Sequence, residues 1–346
     1  MQKRLLLREI ATNVFAIFGL SQINLMKRIS VYVPQNAVIE AITLPYRLFK
    51  TANEFLKVSG KEVLFEVEYV GLQKSIDVND GEYTVKINRL IDSVENTDVV
   101  IVPALYGAMD NAIESNGKSL EWIKKMHLQG ADVASLCTGA FLIGATGLFN
   151  GKKCSTHWAY YNEFRLMYPD VEIVDGGVIT DEGKLYSSGG ANSIWNLLLY
   201  MLEKYADRDT AILASKYFAI DIDRDNQGAF TIFSGQKDHR DEEILKAQEY
   251  LEVNYTQKIT VEDLADLVNV SRRSFERRFK KATNNTIIEY MQRVRIEAAK
   301  RSFEASRKNV TEVMFDVGYT DTKAFRDVFK KITGLTPVEY RNKYSK

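Results

Sequence analysis

A stretch near the C-terminus of this 346-residue chain is written twice, fifty residues apart, and nothing else in the sequence limits the fold so tightly. Phe275, Phe279, Lys280, Lys281, Thr283, Thr286 and Tyr290 return unchanged as Phe325, Phe329, Lys330, Lys331, Thr333, Thr336 and Tyr340. Two copies are too few to stack into a solenoid, so the repeat predicts a duplicated functional unit. In the first copy Val261–Val268 reads as a short helix and Asn269–Val270 as a turn. Ser271 then caps a second helix over Arg272–Lys281 by accepting a backbone N–H. In the second copy Val310–Val317, Gly318 and Asp321 take the same parts ahead of a helix over Thr322–Ile332, glycine supplying permissive turn backbone.

The four-residue spacing puts each pair of phenylalanines on one face, to be buried against the preceding helix. Left facing outward are Arg272, Arg273, Ser274, Glu276, Arg277 and Lys280 in the first copy. In the second they are Thr322, Lys323, Arg326, Asp327 and Lys330. Forked guanidinium groups suit guanine edges and lysines suit phosphates, so these are the candidate contacts to double-stranded DNA. A rigid helix over Ile287–Phe303, with Ile288, Met291, Val294, Ala298 and Phe303 on one side, would join the units. Two recognition helices held at fixed distance can enter successive major grooves about 34 Å apart. Charge agrees: the whole chain has 46 basic and 46 acidic residues, but residues 240–346 hold 22 against 17, and the remainder 24 against 29. The basic excess of five lies where phosphates would be met.

From Arg28 to about Tyr205 short β-branched runs alternate with helical stretches, the pattern of a parallel sheet covered by helices. Strands are expected at Ile29–Val33, Leu64–Val70, Val99–Pro103, Val133–Leu136, Val171–Val174 and Leu185–Ser187. Helices are expected at Leu44–Val58, Ser119–Gln129, Ala140–Thr146, Trp158–Tyr168 and Ala191–Tyr205. The charged, glycine-containing stretch Asp221–Arg240 has no period and reads as a connecting loop. The expected organisation is an extension of unclear role over 1–26, an α/β domain over 27–220, a linker over 221–240 and an all-α domain with two helix-turn-helix units over 241–346. Lys3, Arg4 and Arg8 precede an apolar stretch to Met26, but Glu9, Asn13, Gln22 and Asn24 interrupt it and no small-residue cleavage site follows. Neither a signal peptide nor a membrane span is expected. Two cysteines without a CxxC pair and three histidines make a disulfide framework and a structural zinc site implausible, and fit a reducing cytoplasm. No metal or cofactor is expected.

Within the α/β part, Val133-Ala-Ser-Leu-Cys137-Thr-Gly-Ala-Phe-Leu places a cysteine between a strand and a helix that begins with small residues. That is nucleophile-elbow geometry, in which a helix N-terminus lowers the thiol pKa. His157, in Ser-Thr-His-Trp, completes a candidate Cys–His pair for acyl-transfer or carbonyl chemistry. Cys154 reads as a buried apolar group in a strand, and Trp122 and Trp195 as core residues. His127 and His239 show no partner pattern.

Residues 241–346 resemble the DNA-binding domain of the AraC/XylS family, on LADLVNVSRRSFERRFKK, EYMQRVRIEAAKR, VTEVMFDVGYTDTKAFRDVFKKITGLTPVEYR and the closing Gly-Leu-Thr-Pro-Val-Glu-Tyr-Arg. Ile287 stands where the second unit has Pro337, a tolerated change. Residues 28–205, with the cysteine elbow, Thr-His-Trp and Ser188-Gly-Gly190 before a helix, resemble the DJ-1/PfpI family, itself similar to class I glutamine amidotransferases. The order of the two domains is similar to the GlxA-type branch of AraC regulators. The resemblance implies a cytoplasmic regulator of promoter DNA and a homodimer, its α/β domain, flavodoxin-like and DJ-1-like, sensing a small-molecule effector. Enzymes of the DJ-1/PfpI type carry a Glu four residues before a proline in the first helix. Counting back from Pro45 gives Ala41, with Glu40 one place off. Thr138 stands where the PfpI-type proteases place a His. The pocket residues Cys137, His157, Glu40 and Thr138 are therefore expected to bind or sense, with Cys137 a candidate redox or electrophile sensor. The alternative is a DJ-1-like cysteine enzyme, of glyoxalase or amidohydrolase type, fused to a DNA-binding domain.

Overall fold

The computed structural model describes residues 26–190, 192–221, 227–237 and 239–345. Apart from Met26, the N-terminal extension lies outside the described residues. The elements begin β1 (Lys27–Tyr32), α1 (Ile39–Val58), β2 (Phe65–Gly71), β3 (Ser75–Val78), β4 (Tyr83–Lys86), β5 (Arg89–Leu90) and β6 (Val99–Val102). They continue α2 (Met109–Ser115), α3 (Gly117–Leu128), β7 (Asp132–Ser135), α4 (Ala140–Ala145), β8 (Lys153–Cys154), α5 (Tyr161–Met167), β9 (Glu172–Ile173), β10 (Ile179–Asp181), β11 (Leu185–Ser188), α6 (Ser193–Tyr205) and α7 (Arg208–Phe218). The main sheet reads β10-β11-β7-β6-β1-β2-β5. β1 runs parallel to both β2 and β6, Ile29 lying opposite Val67 and Val99, and β10–β11 is an antiparallel edge pair. Val99–Val102 is fully buried, as a parallel strand covered on both faces requires. Asn53 of α1 fixes the start of β2: its side-chain amide donates to the Phe65 carbonyl at 2.7 Å and its oxygen accepts from the Phe65 N–H at 3.0 Å.

The expected strands all form, within a residue or two. β3, β4, β5 and β10 escape sequence reading because two to four residues carry too little alternation to register. Helices α2 and α7 are additional. Helix α1 begins at Ile39, five residues before the expected Leu44, because Pro45 sits inside it. Pro45 is the seventh residue of α1: its fixed φ is helical, but it leaves the Ala41 carbonyl without its helical donor, so the proline read from sequence as a helix start lies inside the helix.

The C-terminal elements are α8 (Glu242–Val253), α9 (Val261–Leu267), α10 (Arg272–Thr283), α11 (Ile287–Ala305), α12 (Val310–Asp316), α13 (Thr322–Thr333) and α14 (Pro337–Tyr344). They surround two apolar cores. Ile244, Leu251, Leu264, Phe275, Phe279 and Tyr290 build the first. Ile296, Phe303, Val313, Met314, Phe325, Phe329 and Tyr340 build the second. Helix α11 serves both, with Ile287 and Val294 in the first core and Ala299 and Phe303 in the second. That corrects the expected single stripe: Ile288 is 67% exposed, because a helix shared between two cores buries two offset faces. Ile287 and Pro337 both occupy the first position after a capping threonine, where proline's missing N–H has no partner to lose.

The stretch read as a connecting loop is partly packed. Residues 222–226 and 238 lie outside the described residues, but Gln227, Gly228 and Ala229 are buried, Gly228–Phe230 is a turn of 3-10 helix, and Phe233 packs on the first helical core. Its apolar run Ala229-Phe-Thr-Ile-Phe has surface to bury, which the charge of its flanks obscures. Segments Ser135–Leu197 and Asp223–Lys346 fall in one compact unit. Among the described residues no helix is long and apolar enough to cross a membrane.

Candidate nucleic-acid interface and elbow pocket

Both helix-turn-helix units form as the repeat predicts. Ser271 accepts from the Ser274 N–H and Asp321 from the Ala324 N–H, capping α10 and α13. Asn269 (φ 53°) and Gly318 (φ 82°) supply the left-handed residue that ends each first helix. Two backbone bonds recur there: Asn269 to Asp266 and Val270 to Ala265, then Gly318 to Phe315 and Tyr319 to Met314. The second turn is one residue longer. Arg295 of α11 secures that turn, donating to the carbonyls of Tyr255, Gln257 and Gly318. Sequence reading missed Arg295, since its three partners lie 23 to 40 residues away.

Phe275, Phe279, Phe325 and Phe329 are fully buried. Arg272, Arg273, Glu276, Arg277 and Lys280 are exposed on α10, Ser274 is half-buried, and Thr322, Lys323, Arg326, Asp327 and Lys330 are exposed on α13. Their electrostatic states differ. Arg272 is held by Glu262 and Glu276, and Lys280 donates to the Asn284 carbonyl at 3.0 Å. Among the described residues, Arg273, Arg277, Lys323, Arg326 and Lys330 make no ion pair. Arg278, between these groups in sequence, instead grips Asp241 and Glu243 and ties α10 to the start of α8.

Cys137 adopts φ 56°, the strained elbow expected between β7 and α4. Its N–H donates to Ser188 Oγ at 3.1 Å and its carbonyl accepts from Thr156 Oγ1 at 3.0 Å. The thiol departs from expectation: it is 6% exposed, and burial pushes its pKa up to about 11. Hydrogen bonds from Thr138, itself buried, pull the other way and are outweighed. His157 is half-buried, and burial lowers its pKa, favouring the neutral ring. Its Nδ1 accepts from the Ala159 N–H at 3.2 Å, capping the turn that follows. Glu40 is exposed in the first turn of α1, whereas Ala41, at the family's acid position, is fully buried. Cys154 is buried in β8, Trp122 is buried and Trp195 half-buried. His239, without an evident partner in sequence, lies 2.8 Å from Gln248. Among the described residues no group of three or more His, Cys, Asp or Glu could hold a metal.

Beside the elbow lies a residue that sequence reading passed over. Gln227 is 1% exposed, and its Oε1 accepts from the Gly190 N–H at 2.7 Å. Its Nε2 is 3.1 Å from the Thr156 carbonyl, 3.0 Å from Tyr161 Oη and 2.9 Å from the Gly177 carbonyl.

A DJ-1/PfpI family model matches residues 27–204, and a helix-turn-helix domain model residues 264–343. The HTH-type transcriptional regulator ArgR of Pseudomonas aeruginosa is 23% identical over 221 residues, 64% of this chain and 67% of that protein. Isonitrile hydratase of Pseudomonas putida is 32% identical over 118 residues, 34% of this chain and 49% of that enzyme. Among solved structures, a transcriptional regulator protein from Vibrio parahaemolyticus superposes with a TM-score of 0.50 at 20% identity, over 56% of this chain and 98% of that one, which shows a shared fold. The chain belongs to the DJ-1/PfpI family, and with an AraC-type helix-turn-helix domain fused behind that α/β domain it is a transcriptional regulator.

Proposed function

We propose that the protein reads promoter DNA sequence-specifically through α10 and α13, working as a homodimer. In this reading the α/β domain, residues 27–220, binds a small effector without catalysing a reaction. Residues 221–240 link it to the DNA-binding domain, residues 241–346. One observation carries the reading: in both units a helix fixed by two buried phenylalanines turns unpaired cations outward, Arg273 and Arg277 in one, Lys323, Arg326 and Lys330 in the other. Unpaired arginines and lysines are free to meet base edges and phosphates.

A sensory role for the α/β domain is supported by the state of its elbow. A working nucleophile needs a thiolate, an orienting acid and a free base. Here the thiol is held protonated by burial, the acid position is Ala41, and His157 Nδ1 is engaged by a backbone N–H.

Fluorescence anisotropy of the full-length chain on its own upstream region and on random DNA, over a salt series, tests the proposal. Tight binding confined to the upstream region supports it. Equal, steeply salt-dependent binding to both reports phosphate attraction alone and sinks it. Arg273→Ala with Lys323→Ala should weaken specific binding at least about tenfold with the circular dichroism spectrum unchanged; wild-type affinity would overturn the contact assignment. Light scattering of the same sample checks the dimer.

A further inference from the structure

A carboxamide has one accepting oxygen and two donating hydrogens, and the groups around Gln227 answer each of them. One backbone N–H, of Gly190, faces the oxygen, while the carbonyls of Thr156 and Gly177 face the NH2 group. Tyr161 Oη, which also accepts from the Gly176 N–H, lies 3.0 Å from the same nitrogen, so one of the two hydrogens is shared between acceptors. The four partners come from three separate stretches of chain. An ionised carboxylate in the same position would press a charged oxygen against two carbonyl oxygens, at a high desolvation cost. The group this site selects is an uncharged primary amide.

The glycines after Ser188 form the wall of the site. A Cβ on Gly189 would lie 2.2 Å from Gln227 Nε2, and one on Gly190 would lie 3.0 Å from Oε1 and 3.2 Å from the His157 ring. Through Ser188 and Thr156 this wall is bonded to Cys137, so the site adjoins the elbow. Two further hydroxyls nearby, Ser155 Oγ and Ser193 Oγ, are buried and hydrogen-bond to nothing among the described residues. Ser155 Oγ lies 2.6 Å from where a Cβ on Gly177 would be. Ser155 Oγ, beside Gly177, is thus polar capacity that Gln227 leaves unused.

Downstream of Gln227 the chain reaches the DNA-binding helices. Ala229 packs in the second helical core and Phe233 on the first. The Phe233 N–H donates to Glu297 Oε2 at 3.1 Å and Lys300 Nζ donates to the Thr231 carbonyl, both partners lying on α11. Residues 227–233 are therefore a strap from the amide pocket to the helix that joins the two recognition units.

We propose that this pocket is a binding site for primary carboxamides, occupied in the free protein by the chain's own Gln227, and that an amide-bearing effector displaces Gln227 and loosens the strap from α11. The inference rests on the effector-binding reading of the α/β domain. A tethered competitor acts at an effective concentration in the millimolar range, so removing it exposes the site's full affinity.

Propionamide is the probe, and propionate its charged counterpart. Titration calorimetry of the full-length chain and of Gln227→Ala should show propionamide binding the variant at least about tenfold more tightly than wild type, with propionate binding neither. Gln227→Glu keeps the side chain's length and places a carboxylate before two carbonyls. It should leave the pocket, bind propionamide as the alanine variant does, and be cut by protease within 227–237 at least about fivefold faster than wild type. A folded variant that binds propionamide no better than wild type, or binds propionate equally, overturns the proposal. If neither variant folds, the wild-type chain decides: saturating propionamide must accelerate cleavage of the strap, and an unchanged rate overturns it. Anisotropy on the same samples keeps the two readings apart, since lost DNA binding counts against the regulator reading and leaves the amide titration to stand alone.

Discussion

Cys137 shows how a residue's chemistry can depart from its motif. The elbow backbone forms as its neighbours predict, and the helix start after it would favour a thiolate. Burial outweighs that, because desolvating a thiolate costs more than a short helix returns. With the pKa near 11, iodoacetamide at pH 8 should alkylate Cys137 at least about a hundredfold more slowly than a peptide thiol. Labelling at the peptide rate would mean the thiol is exposed and activated. The same shift has a pH signature. Both buried thiols have folded pKa values above the ordinary 9.0, about 11 for Cys137 and about 12 for Cys154. Their protonated forms are favoured in the folded state, so their contribution is whole below pH 9 and lost as pH climbs toward about 11 for Cys137 and about 12 for Cys154. The urea midpoint should fall more steeply from pH 9 to 10.5 in wild type than in a Cys137→Ala, Cys154→Ala chain.

Among the elements, two of the repeated threonines, Thr286 and Thr336, prove to be caps. Thr286 and Glu289 form a capping box at the start of α11, and Thr336 and Glu339 form its copy at α14. Hydrogen bonds from the Thr286 and Thr336 backbone hold both carboxyls below the ordinary range for glutamate. Thr286→Ala and Thr336→Ala should each cost about 1 kcal/mol in urea unfolding; a change near zero in either would show that box to be ornamental. Gly318 is stricter, since a Cβ there would sit 2.6 Å from the Thr256 carbonyl oxygen on backbone at φ 82°. Gly318→Ala should cost about 1–3 kcal/mol, whereas Asn269→Gly, at the matching turn, should change stability by only a few tenths. Equal effects at the two turns would contradict the structural difference between them. Phe279→Ala should cost about 3–5 kcal/mol, as expected of an aromatic lost from a closed core.

For the whole molecule, α11 sets the spacing of α10 and α13, the helices proposed to read DNA, because residues along its length belong to both cores. Dimethyl sulfate footprinting of guanine N7 on a wild-type site should therefore show each protomer of the proposed dimer protecting two successive major grooves, about 34 Å apart. Replacing Lys323, Arg326 and Lys330 by alanine should shrink protection to one groove per protomer and lower the salt slope by up to about three per protomer. Protection of both grooves by that variant would remove α13 from the interface.

The helix-turn-helix units were legible in the sequence because they are written in local signals: a three-to-four-residue period, a cap three residues ahead of its N–H, a glycine or asparagine at a left-handed turn. The sheet's longer strands were legible for the same reason, and strands of two to four residues were not. The amide pocket was not legible, since Thr156, Gly177, Gly190 and Gln227 are brought together only when the chain closes on itself. The thiol's protonation and the exposure of Ile288 belong with it: desolvation and shared cores depend on what packs around a residue, and only the tertiary structure decides that.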